Sequence, residues 1–255
     1  MLLFKRILKQ PEMEKPAERR SATRYVVNPS FPIKAVLSFI GRDDTRGPVG
    51  VKRSGWTWKG RLLDCSELGA RLQMSSSRKV EARDLCDLKL VVDDFELTVP
   101  CHIANIREQA DGLLFGLKHD LEDETIAKAY RQLLEVLALG STLKAQTKPA
   151  QPDASGYLVE RYVSDRPSRL CIWRNAKDES IAAFEFQLKD NIVRVAAGHP
   201  VQYMTVAGSS SRTASEAKAR EIQRLFNWVL PNLSPAVPAD VRELLQRYSA
   251  STEDE

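Results

Sequence analysis

Between residues 31 and 118 the chain consists of short segments in which hydrophobic and polar positions alternate. Such alternation is typical of strands that bury one face. Turn-forming residues separate the segments, among them Asp93-Asp94 and Asp111-Gly112. The predicted strands cover residues 31–40, 57–63, 70–74, 85–92, 95–106 and 113–118. Six short strands at this spacing predict a small six-stranded β-barrel.

The periodicity becomes helical after the sixth predicted strand, in residues 122–139. Hydrophobic residues recur there at helical spacing: Ile126, Leu133, Leu134 and Leu137. Acidic residues open this segment, and Gly140 is expected to end the helix. Residues 31–140 are therefore predicted to be one domain, a barrel with a C-terminal helix. Residues 141–154 carry two prolines and no hydrophobic periodicity, which predicts an interdomain linker.

A second domain is predicted for residues 155–250. Five strand-like segments come first, at residues 157–163, 169–173, 181–188, 192–195 and 201–206. A helix is predicted over 215–230, and a shorter one over 239–248, after a break marked by prolines. This order predicts an α+β domain of antiparallel strands followed by helices, so the chain as a whole is mainly β with some α. The second domain contains no motif to which a chemistry can be attached.

The positive charge of the chain is concentrated near its start. The formal net charge is +4, and residues 1–24 contain seven Lys or Arg against three Glu, so the rest of the chain is neutral. Proteins that follow long nucleic acids spread basic residues over a whole face. Residues 1–30 also carry three prolines and little periodicity, which predicts a flexible N-terminal arm. A basic arm of this kind suits a small anionic ligand.

Several classes of protein are not expected from the composition. The four cysteines and three histidines show no metal-ligand or disulfide spacing, so we expect neither a metal nor a disulfide framework. No hydrophobic run is long enough for a membrane span, and the first residues lack the features of a secretory signal, so a cytoplasmic protein is expected. We find no acid–base pair, phosphate-binding glycine loop or cofactor fingerprint, and therefore do not expect an enzyme or a cofactor.

Two polar motifs lie near the first strands of the predicted barrel. One precedes the first strand, and the other lies between the second and third strands. In the first, Arg20 and Arg24 are separated by three residues, and each offers a planar fork of N–H donors for phosphate oxygens or for stacking on a base. The second is a tight turn between two predicted strands. In it Asp64 offers an acceptor, Ser66 a small hydroxyl, and Gly69 either close approach or a positive φ.

The two motifs together resemble the PilZ family, whose signature is R-x-x-x-R followed by [D/N]-x-S-x-x-G. The resemblance covers about residues 15–140 and extends to the strands and helix around the motifs. It implies a receptor for the bacterial second messenger cyclic di-GMP, in which the arm becomes ordered over the barrel. Arg20 and Arg24 would contact phosphates and guanines, while Asp64 and Ser66 would read a guanine edge with Gly69 leaving room. Arg19, just before the motif, implies an intercalated ligand dimer.

Two other functions remain open from the residues alone. The stretch 52–61 mixes basic and aromatic residues, as a barrel that binds single-stranded nucleic acid would. Trp56 and Trp58 share one side of the predicted strand, however, which favours packed indoles over a binding surface. Steep salt dependence of binding would identify that function. Alternatively, the barrel is a scaffold that contacts proteins without binding nucleotide, which ligand-independent capture of a partner would indicate. In either receptor or scaffold, a downstream protein partner is expected but not identified.

Overall fold

The computed structural model describes residues 22–39, 56–75, 80–110, 112–146, 151–208 and 210–250. The chain divides into two compact units, and the boundary lies between Glu135 and Val136. Each unit is built around its own antiparallel sheet, with a few helices besides. This architecture confirms the predicted class, mainly β with α.

The sheet of the first unit is a closed barrel. Its strands are β1 (Tyr25–Val26), β2 (Ile33–Phe39), β3 (Thr57–Ser66), β4 (Gly69–Met74), β5 (Leu85–Val92), β6 (Phe95–Gln109) and β7 (Gly112–His119). Neighbouring strands pair in the order β3-β2-β5-β6-β7-β4, and β4 returns to β3, which closes six strands into a ring. The predicted six-stranded barrel is confirmed. Closure leaves no free sheet edge among these six strands.

Large apolar side chains fill the barrel because alternate positions on each strand point inward. Fully buried residues come from five of its strands: Leu37, Leu72, Leu88, Leu90, Ile103 and Phe115. The tight turn between β5 and β6 is the one predicted, with Asp93 at φ 49°. Aspartate tolerates this left-handed conformation better than most residues.

The last residues of the predicted N-terminal arm are not flexible, because they pair with the barrel sheet. Strand β1 pairs with β3, with Tyr25 opposite Cys65 and Val26 opposite Asp64. The backbone N–H of Val27 continues this pairing by donating to the carbonyl of Leu63 at 2.8 Å. Tyr25 and Val27 are buried. Residues 22–30 therefore belong to the folded barrel, because hydrogen bonding to β3 and burial of these side chains outweigh the weak local pattern.

One helix, α1 (Glu124–Ser141), follows β7 and continues across the unit boundary. Its first turn is capped by Asp123, whose Oδ1 accepts from the backbone N–H of Thr125 at 2.7 Å. Gly140, expected to end the helix, lies inside it. A Cβ at Gly140 would lie 2.9 Å from Cγ1 of Val229, so the glycine allows close packing inside the second unit rather than a helix stop.

The sheet of the second unit is a meander of seven antiparallel strands. They are β8 (Lys144–Ala145), β9 (Tyr157–Val163), β10 (Ser168–Asn175), β11 (Ile181–Leu188), β12 (Asn191–Ala196), β13 (Gln202–Ala207) and β14 (Ser210–Thr213). The five predicted strands are present, whereas β8 and β14 were not predicted because their short polar sequences carry no hydrophobic pattern. Strand β8 lies inside the predicted linker 141–154, so the pairing of β8 with β9 makes part of that linker a sheet edge.

Two helices and a short 3₁₀ turn complete the second unit: α2 (Glu216–Val229), Leu230–Asn232 and α3 (Ala239–Ala250). Ser215 caps α2 by accepting from the backbone N–H of Lys218 at 3.4 Å. The rings of Phe184 and Phe186 on β11 pack against Phe226 of α2, with centroids 6.3 and 6.2 Å apart. These contacts bury the apolar face of the sheet under the helices.

Candidate functional site

A buried carboxylate lies near the end of β3. The register between β3 and β4 shifts between Leu62 and Asp64, which places Asp64 opposite Arg71. A β-bulge of this kind redirects the following side chain. Asp64 is only 1% exposed. A charged group this deeply buried is stable only when it is paired and hydrogen-bonded.

Two arginines provide that pairing. Nη1 of Arg24 donates to Oδ1 of Asp64 at 2.8 Å, across forty positions of sequence. On the other side, Nε and Nη2 of Arg71 both contact Oδ2. The two guanidinium groups remain about half exposed, 52% for Arg24 and 48% for Arg71. The three side chains thus form a cluster with a net positive charge whose exposed surface consists of N–H donors, which suits an anionic ligand.

The turn after Asp64 is held by hydrogen bonds of its own. The hydroxyl of Ser66, 2% exposed, donates to the carbonyl of Gly69 at 3.2 Å. A Cβ at Gly69 would lie 2.0 Å from the carbonyl oxygen of Leu117 on β7. Glycine is therefore required here by the close approach of β4 to β7, and Gly69 is not among the glycines with positive φ. This gives Gly69 a structural role, and its expected role of leaving room for a base stays a prediction.

Residues behind the turn fix its position. The hydroxyl of Tyr130, on α1, donates to the carbonyl of Ser66 at 3.1 Å, and the backbone N–H of His119 donates to the carbonyl of Leu68 at 3.0 Å. The rings of His119 and Tyr130 meet edge to face with centroids 4.6 Å apart. Sequence reasoning missed both residues. Tyr130 occupies the same helical stripe as Ile126, four residues earlier, and this spacing indicated that it faces the barrel.

Burial controls the ionisation of the groups behind the turn. It lowers the pKa of His119 to about 4, because the imidazolium would lose its hydration. Neither ring nitrogen of His119 has a hydrogen-bond partner among the described residues. Burial also raises the pKa of the Cys65 thiol to about 12 and that of Tyr130 well above its usual value. These groups are therefore neutral at physiological pH and serve as packing and hydrogen-bonding groups.

Four of the six predicted site residues lie within the described part of the chain. The structure brings Arg24 to Asp64 by a direct ion pair, and Ser66 and Gly69 follow Asp64 in the same turn. Arg19 and Arg20 lie outside the described residues. Arg71 was not predicted, although its position two residues after Gly69, on the strand paired with β3, made a cross-strand contact with the turn foreseeable.

A shallow cavity of about 360 Å³ lies on the outer face of the β3–β4 hairpin. It is lined by Lys59, Gly60, Arg61, Gln73 and Ser75. Arg61 and Gln73 form the cross-strand pair just beyond Leu62 and Leu72, so this basic cavity borders the charged cluster along the hairpin without including it. The buried carboxylate and its two arginines define the candidate site better than the cavity does, because the cavity contains no buried polar group.

The stretch proposed as a nucleic-acid surface is divided between interior and surface. Trp58 is buried and packs on Phe39 at 4.8 Å and on Phe115 at 6.2 Å between ring centroids. Trp56 precedes β3 and is 57% exposed. The two indoles therefore do not share one accessible side, and Trp58 cannot stack on a base without unfolding the barrel. Residues 52–55 of the stretch lie outside the described part.

Metal-ligating side chains do not cluster in the part of the chain that the structure describes. The four cysteines are buried free thiols, and the Sγ atoms of Cys86 and Cys101 lie 3.5 Å apart on neighbouring strands. None of the described helices is both long and apolar enough to cross a membrane.

Comparison with known proteins places the barrel in a family. The family model described as PilZ domain matches residues 18–135. Among solved structures, the chain is similar to the PilZ domain of CeSA from a cellulose-synthesizing bacterium, with 17% identity over 44% of this chain and 94% of that one and a TM-score of 0.32. It is also similar to the PilZ domain of YcgR from Escherichia coli with c-di-GMP, with 12% identity, coverage of 47% and 92%, and a TM-score of 0.37. No curated protein matches the chain.

Proposed function

Because residues 18–135 are a PilZ domain, we propose that this protein is a receptor for cyclic di-GMP. PilZ domains are binding domains rather than enzymes, and the family is one of cyclic di-GMP receptors. One of the similar solved structures, that of YcgR, is a PilZ domain with c-di-GMP. The protein would accordingly act by binding, without a catalytic step, in the bacterial cytoplasm.

The observation that carries the proposal is the ion pair between Arg24 and Asp64. These residues belong to two motifs and are forty positions apart, and Ser66 and Gly69 follow Asp64 in the same hairpin. Arg71 already supplies the buried carboxylate with a charged partner, and solvent screens the half-exposed guanidinium of Arg24, so the pair with Arg24 should contribute only about 1 kcal/mol or less to stability. A ligand with two phosphates gives the arginine a second partner.

Binding would proceed by exchange of partners. The phosphate of the nucleotide would accept from Arg24, and Oδ1 of Asp64 would become free to accept from an N–H of guanine. Arg20, and Arg19 for a second ligand molecule, would be ordered over the barrel in the same step. The changed surface of the arm would then be what a downstream protein recognises.

The direct test is calorimetric titration of the full chain with cyclic di-GMP, repeated with an Arg20→Ala/Arg24→Ala variant. Each charge-assisted hydrogen bond contributes roughly 1.5–3 kcal/mol, so loss of one arginine should weaken binding about tenfold to over a hundredfold. Arg194→Ala/Arg220→Ala is the matched control, because it removes two exposed, ion-paired arginines from the second unit. A stoichiometry near two would support the role of Arg19.

Other outcomes would identify the alternatives. A folded native chain that binds no cyclic di-GMP would contradict the receptor function and leave a protein-binding scaffold. Equal affinity of the double variant and the native chain would show that the ligand binds elsewhere. Binding to single-stranded nucleic acid that falls steeply with salt would favour the third function.

A further inference from the structure

The cluster around Asp64 contains a guanidinium that neither motif includes. Arg71 directs Nε and Nη2 towards Oδ2 of Asp64, while Oδ1 is taken by Arg24. A guanidinium has five N–H donors, and in the described part of the chain three of those of Arg71, on Nη1 and Nη2, have no partner. They face away from the carboxylate, and the side chain is 48% exposed. Arg71 thus presents a second, outward fork of two parallel donors.

The outward fork is held in a fixed position. Arg71 lies on β4, which pairs with β3 on one side and with β7 on the other. Its guanidinium is anchored by a carboxylate that is itself buried and cannot follow a ligand outward. Arg71 is thus held by strand pairing on both sides and by the carboxylate, so little conformational entropy is lost when a ligand binds it.

The surface beside Arg71 is formed by small and polar residues. Gly116 on β7 is the cross-strand neighbour of Arg71, and Asn105 on β6 is the neighbour of Gly116. A Cβ at Gly116 would lie 2.6–2.9 Å from the amide group of Asn105, so the amide of Asn105 covers the space that the glycine leaves. Paired residues of neighbouring strands point to the same face, and strands are about 4.8 Å apart. A planar base can therefore lie beside Arg71 without meeting a bulky side chain.

We propose that Arg71 is a specificity-determining residue of the nucleotide site, whose outward fork donates to O6 and N7 of a guanine. Guanine offers two acceptors at this edge, whereas adenine replaces one of them with an amino donor that a guanidinium repels. Asp64 then has two roles: Oδ2 positions Arg71, and Oδ1 exchanges Arg24 for the ligand. This inference rests on the proposed function, because it concerns the same ligand and the same turn.

The experiment compares the affinities for cyclic di-GMP and cyclic di-AMP in the native chain, in Arg71→Gln and in Arg71→Lys. A glutamine amide suits the N6/N7 edge of adenine, so the preference of Arg71→Gln for guanine should fall by about 5- to 150-fold, the value of one bidentate pair. Arg71→Lys keeps the charge and N–H donors but loses the planar fork, so it should retain more of the preference than Arg71→Gln and less than the native chain. A role of Arg71 in stability alone would weaken both ligands equally and leave the ratio unchanged.

The control variant is Arg194→Gln. Arg194 in the second unit also directs Nε and Nη2 to a single carboxylate oxygen, that of Glu185, and is 44% exposed. This substitution should leave the ratio at its native value. Native binding of cyclic di-GMP with an unchanged ratio in both Arg71 variants would overturn the inference and leave the receptor function intact. A folded native chain that binds neither nucleotide would overturn both the inference and the receptor function. If Arg71→Gln does not fold, the ratio of affinities measured for Arg71→Lys tests the inference.

Discussion

Arg24 and Asp64 form an ion pair of 2.8 Å that joins the segment before β1 to the end of β3. The carboxylate is almost completely buried, whereas the guanidinium is 52% exposed. Arg24 can therefore leave the pair, whereas the buried carboxylate of Asp64 cannot. This asymmetry suits a switch, because a competing anion can remove the arginine while Arg71 still balances the charge of Asp64.

The coupling between Arg24 and Asp64 should be measurable without any ligand. A double-mutant cycle with Arg24→Ala and Asp64→Ala should give a coupling free energy of about 0.5–1 kcal/mol, a small value because solvent screens the exposed arginine. Urea unfolding of the four proteins provides it. Saturating cyclic di-GMP should reduce the coupling, since the ligand takes Arg24 away from the carboxylate. Additive effects in the free protein would mean that the ion pair is not formed in solution.

Gly69→Ala should destabilise the barrel by about 1–3 kcal/mol or more. The new Cβ would lie 2.0 Å from the carbonyl oxygen of Leu117, and backbone atoms in paired strands move only at a cost. Gly198→Ala is the comparison, because Gly198 has φ +76° and no atom within 4 Å, so only backbone strain of about 1 kcal/mol is expected there. The urea midpoints of both variants test this. Equal losses would argue against the close approach of β4 and β7.

Tyr130→Phe should loosen the turn that contains Ser66 and Gly69, but it should preserve the packing of the aromatic ring on His119. It removes the donor to the carbonyl of Ser66, which should lower the free energy of unfolding by about 1 kcal/mol and lower nucleotide affinity as the turn loosens. Tyr162→Phe is the matched control, since the hydroxyl of Tyr162 donates to Glu160 within the second unit at 2.9 Å. That control should lose stability and retain native affinity. If both variants bind equally well, the bond from Tyr130 does not position the turn.

Stability at mildly acidic pH should depend on His119. Its folded pKa is about 4, below the ordinary value of about 6.5, so the unfolded chain binds a proton that the folded protein rejects. The contribution of neutral His119 is complete above about pH 6.5 and is lost as the pH falls towards 4, by about 3 kcal/mol in all. His119→Phe should abolish this part of the loss between pH 7 and 4.5, measured by urea unfolding. If His119→Phe loses as much stability over this range as the native protein, His119 does not cause the loss.

Local patterns predicted most of the elements correctly. The six barrel strands, the helix after them and five strands of the second sheet were all visible, because burying one face of a strand or helix imposes a period on its own residues. Strands β1, β8 and β14 were not visible. They are two to four residues long, and their pairing with a neighbouring strand stabilises them more than any pattern of their own.

Gly69, Gly140 and Trp58 show what sequence patterns alone could not reveal. The ligand contact of Gly69 stays a prediction, and the structure adds that the backbone of β7 leaves no room for a Cβ at this position. Gly140 was expected to end α1, but it allows Val229 to approach the helix. Trp58 was paired with Trp56, but it enters the core while Trp56 stays outside. In each case the deciding contact comes from a residue distant in sequence or from the exact point at which a strand begins.

The amino-acid sequence by itself determined the class of this protein, the spacing of its two motifs and the identity of Arg24, Asp64 and Ser66 as candidate ligand-binding residues. Only the tertiary structure decided that Asp64 is shared by two arginines, Arg24 and Arg71. The physical reason is that periodicity reports which face of each element is buried, whereas closure of the barrel and the register shift between Leu62 and Asp64 set which residues meet across strands.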